Sequence, residues 1–355
     1  VVRFETLPTR NGYQLGLITL DAPARLNAQN LAMVWAMQEQ LALWRDDPAV
    51  VAVLVRGEGE RAFCAGGDIK ALYEAMCEPA LIDEADAFFS HEYTLCAELR
   101  RYPKPVLAWG QGIVMGGGFG LFASSSHRVV TESSLLAMPE VAIGLFPDVG
   151  ASDWLHQLED GVGRLMALSG IRLNAHDALA AGAADAALPA AAWPLLLETL
   201  RELPWVAAGH GDAVLLHGVL AALASAQPCA LPAAQWQPVR DEVAALVAGD
   251  DLALISARLL AYAGADTWLT EASALHRAGS PHSIALAWAL SQRAVALQDD
   301  RALLALEIAM ARYCLRHGDF REGVRAKLIH RDGAPNWQAQ TLAQALDAAR
   351  AALAG

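Results

Sequence analysis

The sequence predicts an α/β fold of repeated strand–strand–helix units over residues 1–188, followed by a helical domain over 189–355. Three observations lead there. Short apolar or alternating runs recur between helix-period segments. Two glycine-rich junctions, each joining a strand to a helix, stand about fifty residues apart. After Leu188 the chain becomes Ala/Leu-rich and helix-patterned, with few credible strands.

Each element follows from local chemistry. "VVRFETL" and, beyond the turn "TRNG", "YQLGLITLD" read as a hairpin. "AQNLAMVWAMQEQLALWRDD" has the helical period, and "VVAVLVRG" reads as a buried strand. The glycine turn of "AFCAGGDIKAL" (62–72) comes next, with Asp68 placed to cap the helix "DIKALYEAM". A long helix over 84–101 and a strand "KPVLAWG" lead to the second glycine cluster, "WGQGIVMGGGFGLF" (109–122). A short helix and the strand "HRVVTE" follow. Past residue 188, breaks at 203–205, 209–212, 226–232, 279–283 and 330–337 separate helices.

Composition narrows the chemistry. The chain has 355 residues, long enough for two domains. It is 55% hydrophobic, yet no apolar run reaches the roughly 18 residues of a membrane span. Its first residues show neither a secretory nor a transit pattern, so a soluble cytoplasmic protein is expected. With 26 basic and 39 acidic side chains, the net charge of −13 argues against nucleic-acid binding. The five cysteines have neither paired nor metal-ligand spacing, which fits reduced thiols and no metal. Cys64 reads as a small packed hydrophobe rather than a nucleophile.

The glycine junctions place backbone N–H groups at helix N-termini, where anions and polarised oxygens bind. Neither matches a phosphate loop or a dinucleotide fingerprint. Two such turns can instead converge on one carbonyl oxygen as an oxyanion hole. The greasy stretch "MPEVAIGLFPDVG" (138–150) holds two acids, Glu140 after Pro139 and Asp148 after Pro147. Either they cap helix starts, or a segment folded back at Gly144 and Pro147 brings both to one site. Glu92 falls on a helix whose inner face is marked by Phe88, Phe89, Leu95 and Leu99; an exposed position is its ordinary reading.

These residues resemble the crotonase (enoyl-CoA hydratase/isomerase) superfamily, through "CAGGD" and "MGGGFG" at their spacing. The segments "LAMPEVAIGLFPDVG", "FFSHEY", "GSPHS" and "DFREGVRAKLIHRDGAPNW" are similar to the 3-hydroxyisobutyryl-CoA hydrolase branch. The resemblance covers nearly the whole chain, least clearly 190–275. It implies a crotonase-like spiral of ββα units and a substrate that is an acyl-CoA, with no separate cofactor. It also implies oxyanion N–H groups at Gly67 and Gly117. Ala65, Asp68 and Lys70 would lie along coenzyme A, with "ARLNA" (24–28) nearby. The residue matching Glu140 is the branch's nucleophile or base, and that matching Asp148 handles the hydroxyl end or leaving group. Glu92 becomes a substrate contact and His91 a surface or supporting residue. Gly120 stands where hydratases of the superfamily carry a second acid, which tilts the expectation from hydration to hydrolysis of a short 3-hydroxyacyl-CoA. A hydratase or isomerase and a non-catalytic acyl-CoA-binding protein are the alternatives. Superfamily members commonly form trimers, so a homo-oligomer is among the expectations.

Overall fold

A computed structural model of the protein describes residues 1–297 and 299–354. The chain divides into two compact units that interleave in sequence. The first comprises 1–67, 95–136 and 173–234; the second comprises 68–94, 137–172 and the residues from 235 onward.

The first unit holds two sheets. Strands β1 (Val2–Pro8), β2 (Gln14–Leu20), β3 (Val50–Gly57), β5 (Val106–Gly110), β7 (His127–Val130) and β10 (Ala186–Ala187) lie in the order β1-β2-β3-β5-β7-β10. Strands β4 (Ala62–Cys64), β6 (Ile113–Met115), β8 (Leu135–Ala137) and β9 (Leu173–Asn174) form the second, in the order β4-β6-β8-β9. Pairing is antiparallel in the β1–β2 hairpin and at β8–β9, and parallel from β2 through β10 and between β4 and β6. "VVAVLVRG" is apolar throughout because β3 sits inside the parallel sheet and is buried on both faces.

Helix α1 (Leu31–Asp46) starts where the Asn30 side chain accepts from Met33 N at 3.0 Å. Its buried stripe, Met33, Val34, Met37, Leu41 and Trp44, keeps the helical period. The first unit also takes α4 (Gly117–Ser124), α7 (Ala175–Ala180), α8 (Trp193–Glu202) and α9 (Gly209–Ala226). Leu17, Leu54, Leu107 and Trp109 of the sheet share one core with Trp193, Leu196, Leu216 and Leu220 of α8 and α9. This unit therefore draws core residues from both sides of residue 188. Among the described residues every regular element after β10 is helical. The stretch 209–212, expected as a break, instead opens α9. Asp212 folds back to accept from Val206 N and Ala208 N, at 3.0 and 3.1 Å, which draws the preceding loop onto the helix.

The second unit contains α2 (Ile69–Cys77), α5 (Ala151–Trp154), α6 (Val162–Ser169), α10 (Arg240–Leu246) and α11 (Leu252–Leu260). Beyond them come α12 (Thr267–Ala278), α13 (Pro281–Leu297), α14 (Asp300–Arg316), α15 (Phe320–Val324) and α16 (Leu342–Ala352). Helix α3 (Ile82–Arg100) contributes residues to both units. Phe89 of α3 packs against Tyr93 and Phe320, with ring centroids 5.6 and 6.2 Å apart. Among the described residues no helix is long and apolar enough to cross a membrane.

Candidate active site

In the first unit the two glycine junctions meet. Strand β4 runs into Ala65, Gly66 and Gly67, and Gly66 adopts φ +100°, open only to glycine at low cost. A Cβ there would lie 3.2 Å from Met115 O and 3.3 Å from Gly117 N, so the first turn is packed onto the second. Gly118 is closer still: its Cβ would sit 2.2 Å from Cys64 O. Gly117 opens α4, where a first-turn N–H has no intrahelical acceptor. Gln29 N donates to Gly66 O at 2.8 Å and Gln29 bridges to Gly67, tying the segment after "ARLNA" to the same turn. Asn27, fully buried, locks that segment by donating to Glu58 O and Ala62 O and accepting from Ala22 N.

The second unit holds a cluster of acids. Glu140 begins a 3-10 turn, Glu140–Ile143, that ends at Gly144 with φ +81°. Gly144 is required because a Cβ would fall 2.3 Å from Asp319 O. After Pro147 come Asp148, then Val149 and Gly150 with φ of 53° and 83°. Neither acid caps a helix: the N-caps of the 3-10 turn and of α5 are Pro139 and Gly150, without side-chain capping bonds. Glu92, Glu140 and Asp148 are all buried, with 2%, 4% and 4% exposure. One oxygen of Glu92 and one of Glu140 find no hydrogen-bond partner among the described residues.

Three buried carboxyls that interact with one another cannot all ionise cheaply. Burial pushes the Glu92 proton affinity well up, and the Asp148 charge adds to it. Glu140 is raised by burial, then by Asp148, with Glu92 contributing less. Asp148 is raised to about 7 by burial, with the Tyr93 hydroxyl favouring its carboxylate and the Glu307 charge opposing it. Such a cluster holds shared protons near neutral pH, so it can both take a proton and give one. Cys314 is raised by burial and by the Asp148 and Asp319 charges. It lines a cavity of about 790 Å³ together with Ala75, Met76, Ile82, Tyr313 and Arg321.

Of the residues anticipated from sequence, Gly67 and Gly117 come together in the first unit, beside half-buried Ala65 and buried Gly120. Glu92, Glu140 and Asp148 come together in the second. Asp68 caps α2, accepting from Ala71 N at 3.4 Å, and Lys70 is exposed on that helix. His91 is half-buried on α3, outside the acid cluster's named charges. Cys64 is buried in β4, with its sulfur accepting from Gly66 N. Among the described residues no group of His, Cys, Asp and Glu side chains is arranged to hold a metal ion.

Three participants escaped sequence reasoning. Tyr93 adjoins Glu92 within "FFSHEY" but reads as an ordinary core aromatic. Glu307 carries a readable signal: it occupies the buried stripe Leu303, Glu307, Met310, Ala311, Cys314, where an acid is out of place. Gln29 is fully buried beside Gly67, and neither amide atom has a partner among the described residues.

A family model described as enoyl-CoA hydratase/isomerase matches residues 15–353. The 3-hydroxyisobutyryl-CoA hydrolase, mitochondrial, of Xenopus tropicalis is 33% identical over 346 residues, covering 97% of this chain and 86% of the relative. The protein of the same name from Homo sapiens is 34% identical over 325 residues, covering 91% and 81%. Among solved structures, an enoyl-CoA hydratase from Rhodobacter sphaeroides 2.4.1 superposes with a TM-score of 0.83 at 34% identity, covering 99% of this chain and 96% of that one. A carnitinyl-CoA dehydratase from Mycobacterium thermoresistibile gives 0.83 at 32% identity, covering 99% and 95%.

Proposed function

The chain belongs to the enoyl-CoA hydratase/isomerase family, and from that membership we propose that it hydrolyses the thioester of a short 3-hydroxyacyl-CoA, giving the free acid and coenzyme A. The curated relatives at 33–34% identity are named 3-hydroxyisobutyryl-CoA hydrolases, so 3-hydroxyisobutyryl-CoA of valine breakdown is the proposed substrate. The single observation that carries the chemistry is the buried trio Glu92, Glu140 and Asp148.

In the proposed reaction the N–H groups of Gly67 and Gly117 polarise the thioester carbonyl, a contribution worth about 3 kcal/mol in the transition state. Glu140 attacks the carbonyl or activates the attacking water. Asp148 attends the leaving sulfur or the 3-hydroxyl, and Glu92 contacts the acyl portion. Ala65, Asp68 and Lys70 flank coenzyme A, and Gly120 leaves room beside the carbonyl. Coenzyme A is part of the substrate, and no step calls for a separate cofactor or metal. A cytoplasmic location and a homo-oligomer complete the proposal; cell fractionation and light scattering test them, and the relatives' names make mitochondria the competing compartment.

A second reading is hydration of an enoyl-CoA. It draws on the names of the two solved structures and on Glu92 as a second acid where Gly120 offers none. A panel of short acyl- and enoyl-CoAs, followed by mass spectrometry, separates the two. The proposal requires free coenzyme A from 3-hydroxyacyl-CoAs; turnover of crotonyl-CoA to its hydrate with no thioester cleavage would favour hydration instead.

A further inference from the structure

Asp148 lies in a segment with no regular structure to hold it. The two residues that follow have left-handed backbones, and the first of them, Val149, is β-branched, for which φ 53° is strained. Such strain persists only where surrounding contacts over-determine it. The contact here comes from α14, 157 residues away in sequence: Glu307 Oε2 accepts from Gly150 N at 2.7 Å. Its other oxygen, Oε1, accepts from Ser152 N at 3.4 Å, and the side chain is 1% exposed. Both oxygens accept from the backbone of this turn.

A neutral amide offers one acceptor oxygen and would satisfy only one of these two N–H groups. The chain meets both by burying a further acid beside Asp148, at an electrostatic cost. We infer that Glu307 is a positioning residue, whose side chain pins the Asp148 turn through Gly150 and Ser152. The inference rests on the hydrolytic reading for its purpose, while its physical content concerns Asp148 alone. The groups facing Asp148 are Glu92 and Tyr93 from α3, Glu140 from the 3-10 turn, and Glu307 and Cys314 from α14. Glu307 also holds the backbone next to Asp148.

Glu307→Gln removes the charge and keeps an acceptor. The Asp148 carboxyl is followed by ¹³C NMR titration, with its signal identified by loss in Asp148→Asn. In Glu307→Gln that titration is expected to move to lower pH by about half a unit or more. Amide exchange at Gly150 and Ser152 is expected to quicken by about tenfold. On 3-hydroxyisobutyryl-CoA, kcat is expected to fall by about tenfold with KM within about threefold of wild type. An unmoved Asp148 titration, or unchanged exchange at Gly150, overturns the inference. Should the glutamine variant fail to fold, Glu307→Asp supplies the test. It retains the charge but withdraws the acceptor, so exchange must quicken while the titration stays near wild type; a shift without faster exchange refutes the assignment. Titration and exchange need no substrate, so a wild-type protein that cleaves no thioester defeats the hydrolytic reading and leaves this one separately tested.

Discussion

Asp148 is costly for the fold and, in the proposed reaction, serves the chemistry, and the two effects can be separated by pH. Its folded-state proton affinity, about 7, lies above the ordinary carboxylate range because burial disfavours the charge. An acid raised in this way costs stability only where it would ionise: nothing at low pH, progressively more as pH rises to about 7, and the full amount above. Asp148→Asn removes that cost. Calorimetry is expected to show a gain in Tm of a few degrees at about pH 8, shrinking towards about pH 5, while hydrolysis is lost. A larger gain at the acidic end would contradict the burial argument. At this scale the sequence was legible where motifs are local. Glu140 and Asp148 stood out as acids in an apolar run, and the structure gathers them with Glu92 rather than leaving them as caps. Glu307 is harder to read, because its bonds to Gly150 and Ser152 join distant parts of the chain and its place on an apolar stripe is the one local signal.

Among elements, the two glycine junctions depend on each other. Strand β4 and helix α4 approach so closely that only a hydrogen fits at Gly118, against Cys64 O. Gly118→Ala must push the helix from the strand and with it the turns carrying Gly67 and Gly117. Overpacking of this kind costs about 1–3 kcal/mol, and more where backbone is the obstacle. We expect a lower Tm and a kcat loss of at least about tenfold, checked by calorimetry and steady-state kinetics; wild-type behaviour would mean that the junction yields freely. The periodic helices and the buried parallel strands were readable because burial imposes period 3.6 on one and apolar continuity on the other. The stretch 209–212 misled because glycine and Asp read as a loop, whereas Asp212 bonds backward and lets the helix begin there.

For the molecule as a whole, the change in sequence character at 188/189 marks where strands end, and the first unit's core extends past it. Trp193 meets Trp109 with ring centroids 5.2 Å apart, and Leu196, Leu216 and Leu220 complete the same cluster. We propose the boundary at 188/189 as one of element type. A fragment of 1–188 would expose the sheet face that these side chains cover, so it is expected to be insoluble or to lack a cooperative thermal transition. A soluble fragment with a sharp transition would instead make 188/189 a true folding boundary. The net charge of −13 also has a consequence at this scale: it repels the phosphates of coenzyme A, so KM for acyl-CoA is expected to fall as salt screens the long-range field.

Thioester cleavage, with Glu140 as the group that attacks or activates water, is the step on which the proposed function stands. Release of free coenzyme A from 3-hydroxyisobutyryl-CoA, followed with a thiol reagent for the wild type and Glu140→Gln side by side, tests it most directly. Stoichiometric coenzyme A and acid from the wild type are expected, with a loss of about 100-fold or more in the folded glutamine variant. No coenzyme A from the wild type, or equal release from both proteins, would contradict it.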